Sequence, residues 1–261
     1  MPEKLRIPSA DAVLDATDHA GPDPAVVLLN GAFGTQRDWN RVITALGGTY
    51  RIISFDERAR GRSTRSSDYS FAGCLEDLDA VLATTGLTGT ARPILVGWSY
   101  GAAVAVRYAA DHPDAVTGLV LIDGAFPISM QSAEERAKTR STFRKMGPLM
   151  RLLALFGRST TMSPDEAATV NIELDDVLGQ LGPAYDRITC PVRFLIASTR
   201  HPGATDEQLR TMRAAIDPVI AAHPNITVDA RLPCSHLQIL SKYPDSVVTA
   251  IQHAAPSAPT P

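Results

Sequence analysis

Several features that would place this chain outside the ordinary soluble globular proteins are missing from its sequence. Nowhere do about 18 apolar residues follow one another, so no membrane-spanning helix is predicted. The first residues carry no apolar stretch of signal-peptide length, and we expect a soluble, cytoplasmic protein. The net charge is only −3 and both signs are mixed along the chain, which argues against nucleic-acid binding.

Cysteine is scarce, and the usual phosphate-binding and metal-binding patterns are absent. Cys74, Cys190 and Cys234 are odd in number and lack metal-ligand spacing, which predicts buried thiols rather than disulfides. No Gly-x-Gly-x-x-Gly opens a helix and no Gly-Lys-Ser/Thr follows a glycine-rich turn, so nucleotide binding has no support. No His, Asp or Glu pair has ligand spacing on one helix, and we expect neither a metal nor another cofactor.

Short apolar strand patterns alternate with helical patterns along most of the chain. The alternation predicts an α/β fold with a mainly parallel, twisted sheet and helices on both faces. Residues 4–18 are expected to form an antiparallel hairpin at the sheet edge. Strands are expected at 25–30, 50–55, 93–97, 116–122, 191–197 and 225–230. Helices are expected at 39–46, 70–85, 99–112, 206–222 and 243–253.

The alternation stops in the middle of the chain, where residues 125–187 show helical periodicity alone. An insertion of this kind predicts a helical cap, with residues 1–124 and 188–255 as the core. The apolar stretch 148–156 is interpreted either as a wall for a hydrophobic substrate or as a helix packed on the domain. A membrane-surface helix is disfavoured, because the stretch has one cation and no tryptophan. Residues 256–261 are expected to be a disordered tail.

Residues 97–101, Gly-Trp-Ser-Tyr-Gly, carry the strongest chemical signal in the sequence. A serine with a glycine two residues away on each side can sit on a sharp strand-to-helix turn that exposes its hydroxyl. A strand pattern precedes the segment and a helix pattern follows it, as this turn requires. Side chains at Gly97 or Gly101 would collide with the neighbouring helix or strand. The pattern predicts that Ser99 is a nucleophile.

These motifs resemble those of the α/β-hydrolase superfamily over nearly the whole chain. The matching segments are residues 28–34, 55–63, 97–101 and 234–236. Where many relatives have His-Gly after a strand, this chain has Asn30 and Gly31. It also has Arg-Ala-Arg-Gly-Arg-Ser at 58–63 in place of Arg-Gly-x-Gly-Arg-Ser. Neither departure removes a catalytic side chain, so the resemblance implies a nucleophile elbow, a catalytic triad and an oxyanion hole.

A serine hydroxyl needs a base that takes its proton during attack, and histidine is the expected base. His236 alone follows the last strand pattern and precedes the last helix, which matches the chain order serine, acid, histidine in the superfamily. The remaining histidines are predicted in turns, at helix ends or in the last helix: His19, His112, His201, His223 and His253. His236 is therefore the predicted base.

The acid of the triad has two candidates. Most relatives carry it after the strand that follows the cap, but here no carboxylate stands at that place and His201 occupies it. Asp123 follows the strand directly after the nucleophile helix, where haloalkane dehalogenases and a zearalenone-lactone hydrolase are similar in carrying their acid. Asp123 is the predicted acid, with an N-cap of the cap segment as its alternative role. Asp206 is the reserve candidate, although it is better placed to begin a helix.

Acyl transfer also needs hydrogen-bond donors for the oxyanion that develops in the transition state. By resemblance, these donors are the backbone N–H groups of Tyr100 and Ala32, with Phe33 as the alternative to Ala32. The side chains of Trp98 and Tyr100 are predicted either to shape the pocket or to pack the helix on the sheet.

The resemblance implies a cofactor-independent serine hydrolase that cleaves an ester, lactone or thioester of a moderately apolar small molecule through an acyl-enzyme on Ser99. A lyase, C–C hydrolase or cyclase on the same scaffold is the alternative, and a catalytically silent ligand-binding protein is the third hypothesis. Haloalkane dehalogenases and epoxide hydrolases would need a carboxylate at position 99. The expected partner is a small-molecule substrate, without nucleic acid or stable membrane association, and the oligomeric state is left open.

Overall fold

One eight-stranded sheet organises the computed structural model, which describes residues 2–199 and 204–255. Its strands are β1 (Glu3–Ser9), β2 (Ala12–His19), β3 (Val26–Leu29), β4 (Ile52–Asp56), β5 (Ile94–Trp98), β6 (Gly118–Ile122), β7 (Val192–Ala197) and β8 (Ile226–Leu232). They lie in the order β1-β2-β4-β3-β5-β6-β7-β8. Strand β2 is antiparallel to β1 and β4, and every other neighbouring pair is parallel. This arrangement confirms the predicted mainly parallel sheet with a hairpin at its edge.

Helices cover both faces of the sheet. They are α1 (Asn40–Leu46), α2 (Phe71–Thr84), α3 (Tyr100–Asp111), α4 (Ala133–Leu155), α5 (Pro164–Gly179), α6 (Gly182–Tyr185), α7 (Asp206–Ala214), α8 (Asp217–Ala222), α9 (Ile239–Lys242) and α10 (Pro244–Ala254). Residues of α2 and α3 form a core with one face, and residues of α1 and α10 form a second core with the other. Both sheet faces are thus buried, as parallel sheets require.

The alternating direction of side chains along a strand explains the two cores. In β3, Val27 and Leu29 belong to the core that contains α2 and α3, whereas Val26 and Leu28 belong to the core that contains α1 and α10. All four side chains are at most 1% exposed. A continuous apolar run is therefore the expected sequence of such a strand, rather than an alternation of apolar and polar residues.

The structure corrects one predicted element, the single helix over residues 206–222. The chain forms two helices there, α7 and α8, with Ala215 and Ile216 between them. Pro218 lies in the first turn of α8. Proline lacks an N–H and fits the first turn of a helix, but it would break the interior of a longer one.

Residues 125–187, which we call the cap segment, contain the helices α4, α5 and α6. Among the described residues of this segment, the only strand-like pairing is an isolated bridge between Arg60 and Thr160. Ser132 begins α4 and Ser163 begins α5, each by accepting a hydrogen bond from the backbone N–H three residues later. The division into a core and a cap stays a prediction, and the predicted tail 256–261 lies outside the described residues.

Candidate active site

The turn at Ser99 joins β5 to α3 at the carboxyl edge of the sheet. Ser99 has φ +56° and ψ −110°, a backbone conformation that is costly for a residue with a side chain. Two hydrogen bonds hold it: the Ser99 N–H donates to Ile122 O at 2.9 Å, and the Gly101 N–H donates to Asn30 O at 2.9 Å. The surrounding strands thus maintain a strained turn of the kind that exposes a nucleophile.

Glycine is required on both sides of this turn because the backbone is crowded. A Cβ atom at Gly97 would lie 2.3 Å from the carbonyl oxygen of Gly101, and one at Gly101 would lie 2.3 Å from that of Leu29. Both partners are main-chain atoms of packed elements, which cannot move aside as a flexible side chain could. Steric crowding therefore explains why both positions are glycine, as the sequence predicted.

Asp123 and His236 form a hydrogen-bonded pair next to this turn. Asp123 follows β6, and its Oδ2 lies 2.9 Å from Nδ1 of His236, the first residue of a short 3-10 helix. The Asp123 carboxylate is almost fully buried, and its Oδ1 accepts the Ala197 N–H at 3.0 Å. A Cβ atom at Gly124 would be 2.4 Å from the Ser99 carbonyl oxygen, which shows how closely the segment after β6 approaches the turn.

Arg213 also contacts the Asp123 carboxylate, and the sequence analysis missed it. Its Nε lies 3.7 Å from Asp123 Oδ1 and has no hydrogen-bond partner among the described residues. The side chain is only 11% exposed, and one terminal nitrogen donates to Thr199 O at 3.2 Å. The guanidinium thus lies beside the carboxylate that bonds to His236. The sequence holds no local signal for this contact, because Arg213 lies in α7, far along the chain.

The competing candidates lie elsewhere. Asp206 is the exposed first residue of α7, and Thr205 caps that helix. Ser132 caps α4, so the alternative N-cap role of Asp123 in the cap segment is wrong.

The other histidines lie away from the elbow or outside the described residues. His19 ends β2, and His112 ends α3 with its ring against Tyr108. His223 and His253 bond to Asp186 and Asp229, and His201 lies outside the described residues.

The turn after β3 presents backbone N–H groups beside the elbow. The Gly34 N–H donates to Gly31 O at 2.9 Å and closes this turn. The N–H groups of Ala32 and Phe33, inside the turn, take no part in that hydrogen bond. The Tyr100 N–H starts α3 and has no acceptor inside the helix. These are the three groups that the sequence analysis named as oxyanion donors.

A buried polar network supports the turn after β3. Arg60, 1% exposed, donates from Nε to Ala32 O at 2.9 Å. Asn30 donates from Nδ2 to Glu57 at 2.9 Å, and its Oδ1 accepts the Trp39 indole N–H at 2.9 Å. Burial raises the pKa of Glu57 to about 7, although the nearby Arg60 cation and the hydrogen bonds from Asn30 act in the opposite direction.

Arg60 and Glu57 were not predicted as site residues. The only sequence signal was their place in the segment 55–63, where charged residues directly follow a buried strand. Asn30, which stands where many relatives have histidine, is built into this network by its side chain. The departure from the common pattern therefore has a structural role here.

The two aromatic residues of the elbow have different surroundings. The Trp98 ring lies 5.5 Å from the His236 ring, and its carbons come within 3.1 Å of a Cβ atom built on Gly31. Its buried indole N–H has no acceptor among the described residues. Tyr100 packs inward instead: its hydroxyl donates to Cys74 Sγ at 3.5 Å, and its ring lies 5.6 Å from that of Phe71.

The three cysteines are buried, as predicted, and burial raises the pKa of their thiols. For Cys74 and Cys190 the pKa rises to about 11. A thiol with so high a pKa is a poor nucleophile at neutral pH. Across residues 2–199 and 204–255, no group of three or more His, Cys, Asp or Glu side chains is arranged to hold a metal ion.

The family of the chain follows from a sequence comparison. A sequence model of the alpha/beta hydrolase family matches residues 26–250. The chain belongs to this family. The match includes the turn after β3, the elbow, Asp123 and His236, so the geometry described above lies within the part of the chain that the hydrolase family shares.

Curated proteins are similar to this chain over part of its length. A protein of Escherichia coli O9:H4 (strain HS) named as a carbamate hydrolase, RutD, is 34% identical over 103 residues, which are 39% of this chain and 38% of that protein. The aligned part is thus well under half the length of these curated relatives.

Solved structures, among them an enol-lactonase and an esterase, resemble the chain over almost its whole length. The enol-lactonase from Burkholderia xenovorans LB400 has a TM-score of 0.72 and 19% identity, covering 96% of this chain and 100% of that one. The esterase from Exiguobacterium antarcticum has a TM-score of 0.72 and 18% identity, with 96% and 100% covered. At these identities the likeness shows the fold.

Proposed function

We propose that this hydrolase cleaves an ester, lactone or thioester of a moderately apolar small molecule through an acyl-enzyme on Ser99. The observation that carries the proposal is the hydrogen bond of 2.9 Å between Asp123 and His236 beside the strained Ser99 turn. A carboxylate on Nδ1 keeps the proton on that nitrogen, so Nε2 carries the lone pair that accepts the serine proton.

The proposed reaction has two halves. The Ser99 oxygen attacks the carbonyl carbon while His236 takes its proton, and the oxyanion is bound by the N–H groups of Tyr100 and of Ala32 or Phe33. The intermediate then expels the alcohol or thiol, which receives the proton from His236. Water repeats the attack on the acyl-enzyme with His236 as the base, releasing the acid and restoring Ser99.

The residues around the elbow support an apolar substrate. Phe33 lies 5.2 Å from Phe143 of α4, edge to face, which sets an aromatic pair over the turn after β3. The Trp98 ring lies on the His236 side of the same turn. Binding sites for small molecules are mostly lined by apolar side chains with a few directed polar groups. The names of the relatives, an esterase, an enol-lactonase and a carbamate hydrolase, also describe proteins that cleave carbonyl compounds.

Hydrolysis of p-nitrophenyl acetate and butyrate tests the proposal. Ser99→Ala should abolish turnover while thermal unfolding stays cooperative, and Ser141→Ala, at an exposed serine of α4, is the matched control with the wild-type rate. Hydrolysis in H₂¹⁸O should place one labelled oxygen in the released acid, which separates a hydrolase from a lyase or a cyclase. Normal turnover by Ser99→Ala would rule out the serine mechanism.

A further inference from the structure

The second half of α4 is apolar on two sides. One side faces the protein: Gly147 and Met150 are buried, and Phe143, one turn before Gly147, contacts Phe33. The spacing of residues 143, 147, 150 and 154 is that of a single helix face. This face accounts for the packing of the helix on the domain, and other apolar side chains of the helix remain largely exposed.

Those other side chains form a continuous exposed surface. Leu149, Leu152, Leu153 and Phe156 follow the spacing i, i+3, i+4 and i+7, which places them on one helix face. The exposed fractions of Leu149, Leu152 and Phe156 are 55%, 52% and 65%, and Leu155 beside them is 82% exposed. Together with Leu153 and Met146, these residues are called the exposed apolar face. Contiguous apolar surface of this kind marks a site of interaction.

The charged residues in the stretch of chain that carries the exposed apolar face have one sign. Residues 136–164 contain seven lysines and arginines and no aspartate or glutamate. In the part of the chain that the structure describes, Arg136, Lys138 and Arg144 form ion pairs with carboxylates outside residues 136–164: Asp176, Glu134 and Asp165 respectively.

Lys145, Arg151 and Arg158 are the cations nearest the exposed apolar face along the chain. All three are exposed, and none lies within ion-pair distance of a carboxylate in the described part of the chain, while Arg158 is close enough to Asp38 for the two charges to interact. Exposed cations beside exposed leucine and phenylalanine side chains fit a partner that is both anionic and apolar.

Charge decides between the possible occupants of this surface. A second copy of the chain, joined by a two-fold axis, would bring the same cations face to face, which is unfavourable. An anionic phospholipid surface satisfies both features, because apolar side chains enter the boundary between headgroups and acyl chains while cations meet phosphates.

We propose that the exposed apolar face, with Lys145, Arg151 and Arg158, docks this hydrolase on an anionic phospholipid surface. Within the described residues no helix has the length and hydropathy to cross a bilayer, and α4 would lie in the interface. The proposal revises the expectation that the chain has no stable membrane association. That expectation counted one cation in residues 148–156, whereas Lys145 and Arg158 flank the stretch on either side.

Co-sedimentation of the full chain with vesicles tests the proposal. Binding is expected to vesicles of phosphatidylcholine mixed with phosphatidylglycerol and not to phosphatidylcholine alone, and it should weaken as salt screens the charges. Lys145→Gln with Arg151→Gln should weaken binding about 25-fold, at about fivefold per charge near the surface. Phe156→Ser should weaken it at least about tenfold, since the apolar ring no longer enters the lipid.

Matched controls separate docking from folding and from catalysis. Arg92→Gln removes one positive charge at an exposed residue that precedes β5, on the amino-terminal side of the sheet, and should bind lipid as the wild type does, whereas Arg151→Gln alone should weaken binding about fivefold. Every variant should hydrolyse a water-soluble ester at the wild-type rate, so failure of docking is distinguishable from failure of the proposed function. Equal binding to both kinds of vesicle, or no binding to either, would overturn the proposal. So would a dimer that forms without lipid and is lost in Phe156→Ser.

Discussion

Replacing Asp123 by asparagine should abolish the activity, because the hydrogen bonds of the carboxylate determine which way the new amide group must face. Asp123 Oδ1 accepts the Ala197 N–H at 3.0 Å, and Oδ2 faces Nδ1 of His236 at 2.9 Å. A main-chain N–H can only donate, so in Asp123→Asn the amide oxygen must take the place of Oδ1. The new NH₂ group then points at His236 and donates to Nδ1, which forces the imidazole proton onto Nε2.

The magnitude follows from this reversed hydrogen bond. With a proton on Nε2, His236 cannot accept the proton of Ser99, and loss of the correct tautomer in a serine triad lowers kcat by about 10⁴. This corresponds to about 5 kcal/mol of transition-state stabilisation. Arg213 also loses its carboxylate partner, 3.7 Å away, so the variant should be less stable and its rate must be measured well below its unfolding temperature.

The assay is kcat for p-nitrophenyl butyrate, with Asp206→Asn as the control. Asp206 starts α7 and is exposed, so its replacement should cost no more than about 1 kcal/mol of stability and leave the rate unchanged. A kcat for Asp123→Asn within about tenfold of the wild type would refute the reasoning. An inactive Asp206→Asn beside an active Asp123→Asn would transfer the role of the acid to Asp206.

Two further predictions concern the base and the buried network. The double variant Ser99→Ala/His236→Ala should be about as slow as either single variant, because members of a triad act as a unit, and a much slower double variant would contradict this. Burial raises the pKa of Glu57 to about 7 from 4.5, so the folded state holds its proton more tightly and stability falls as the pH rises through that window. Glu57→Gln removes this titration, and denaturant unfolding at pH 5 and pH 8 should show about 2 to 3 kcal/mol less pH-dependent loss than in the wild type. An equal loss in both proteins would show that Glu57 does not titrate in this range.

The sequence predicted the parts of the site that local patterns encode. The elbow could be recognised because two glycines, a strand and a helix surround Ser99 within a short segment. Asp123 and His236 could be proposed because each follows a strand at a place where similar α/β-hydrolases carry the acid and the histidine, and parallel strands end at one edge of the sheet. Their hydrogen bond is a consequence of that topology, which the sequence pattern indicated correctly.

The contacts that the sequence could not show are those between distant segments. Arg213 reaches Asp123 from α7, and Ala197 does so because β6 and β7 are neighbours in the sheet. The split between α7 and α8 had a local signal, Pro218, which was overlooked. The exposed apolar face had a signal in the apolar stretch 148–156, but periodicity identifies apolar helix faces without showing which of them meets the domain.

Covalent labelling tests the central claim, that Ser99 is an activated nucleophile, most directly. A fluorophosphonate reacts with a serine whose proton a neighbouring base removes, and intact-mass spectrometry with peptide mapping locates the adduct. The wild type should gain one adduct, on Ser99, with much slower labelling in His236→Ala and none in Ser99→Ala. An unlabelled wild type, or an adduct that persists on another residue in Ser99→Ala, would contradict the account.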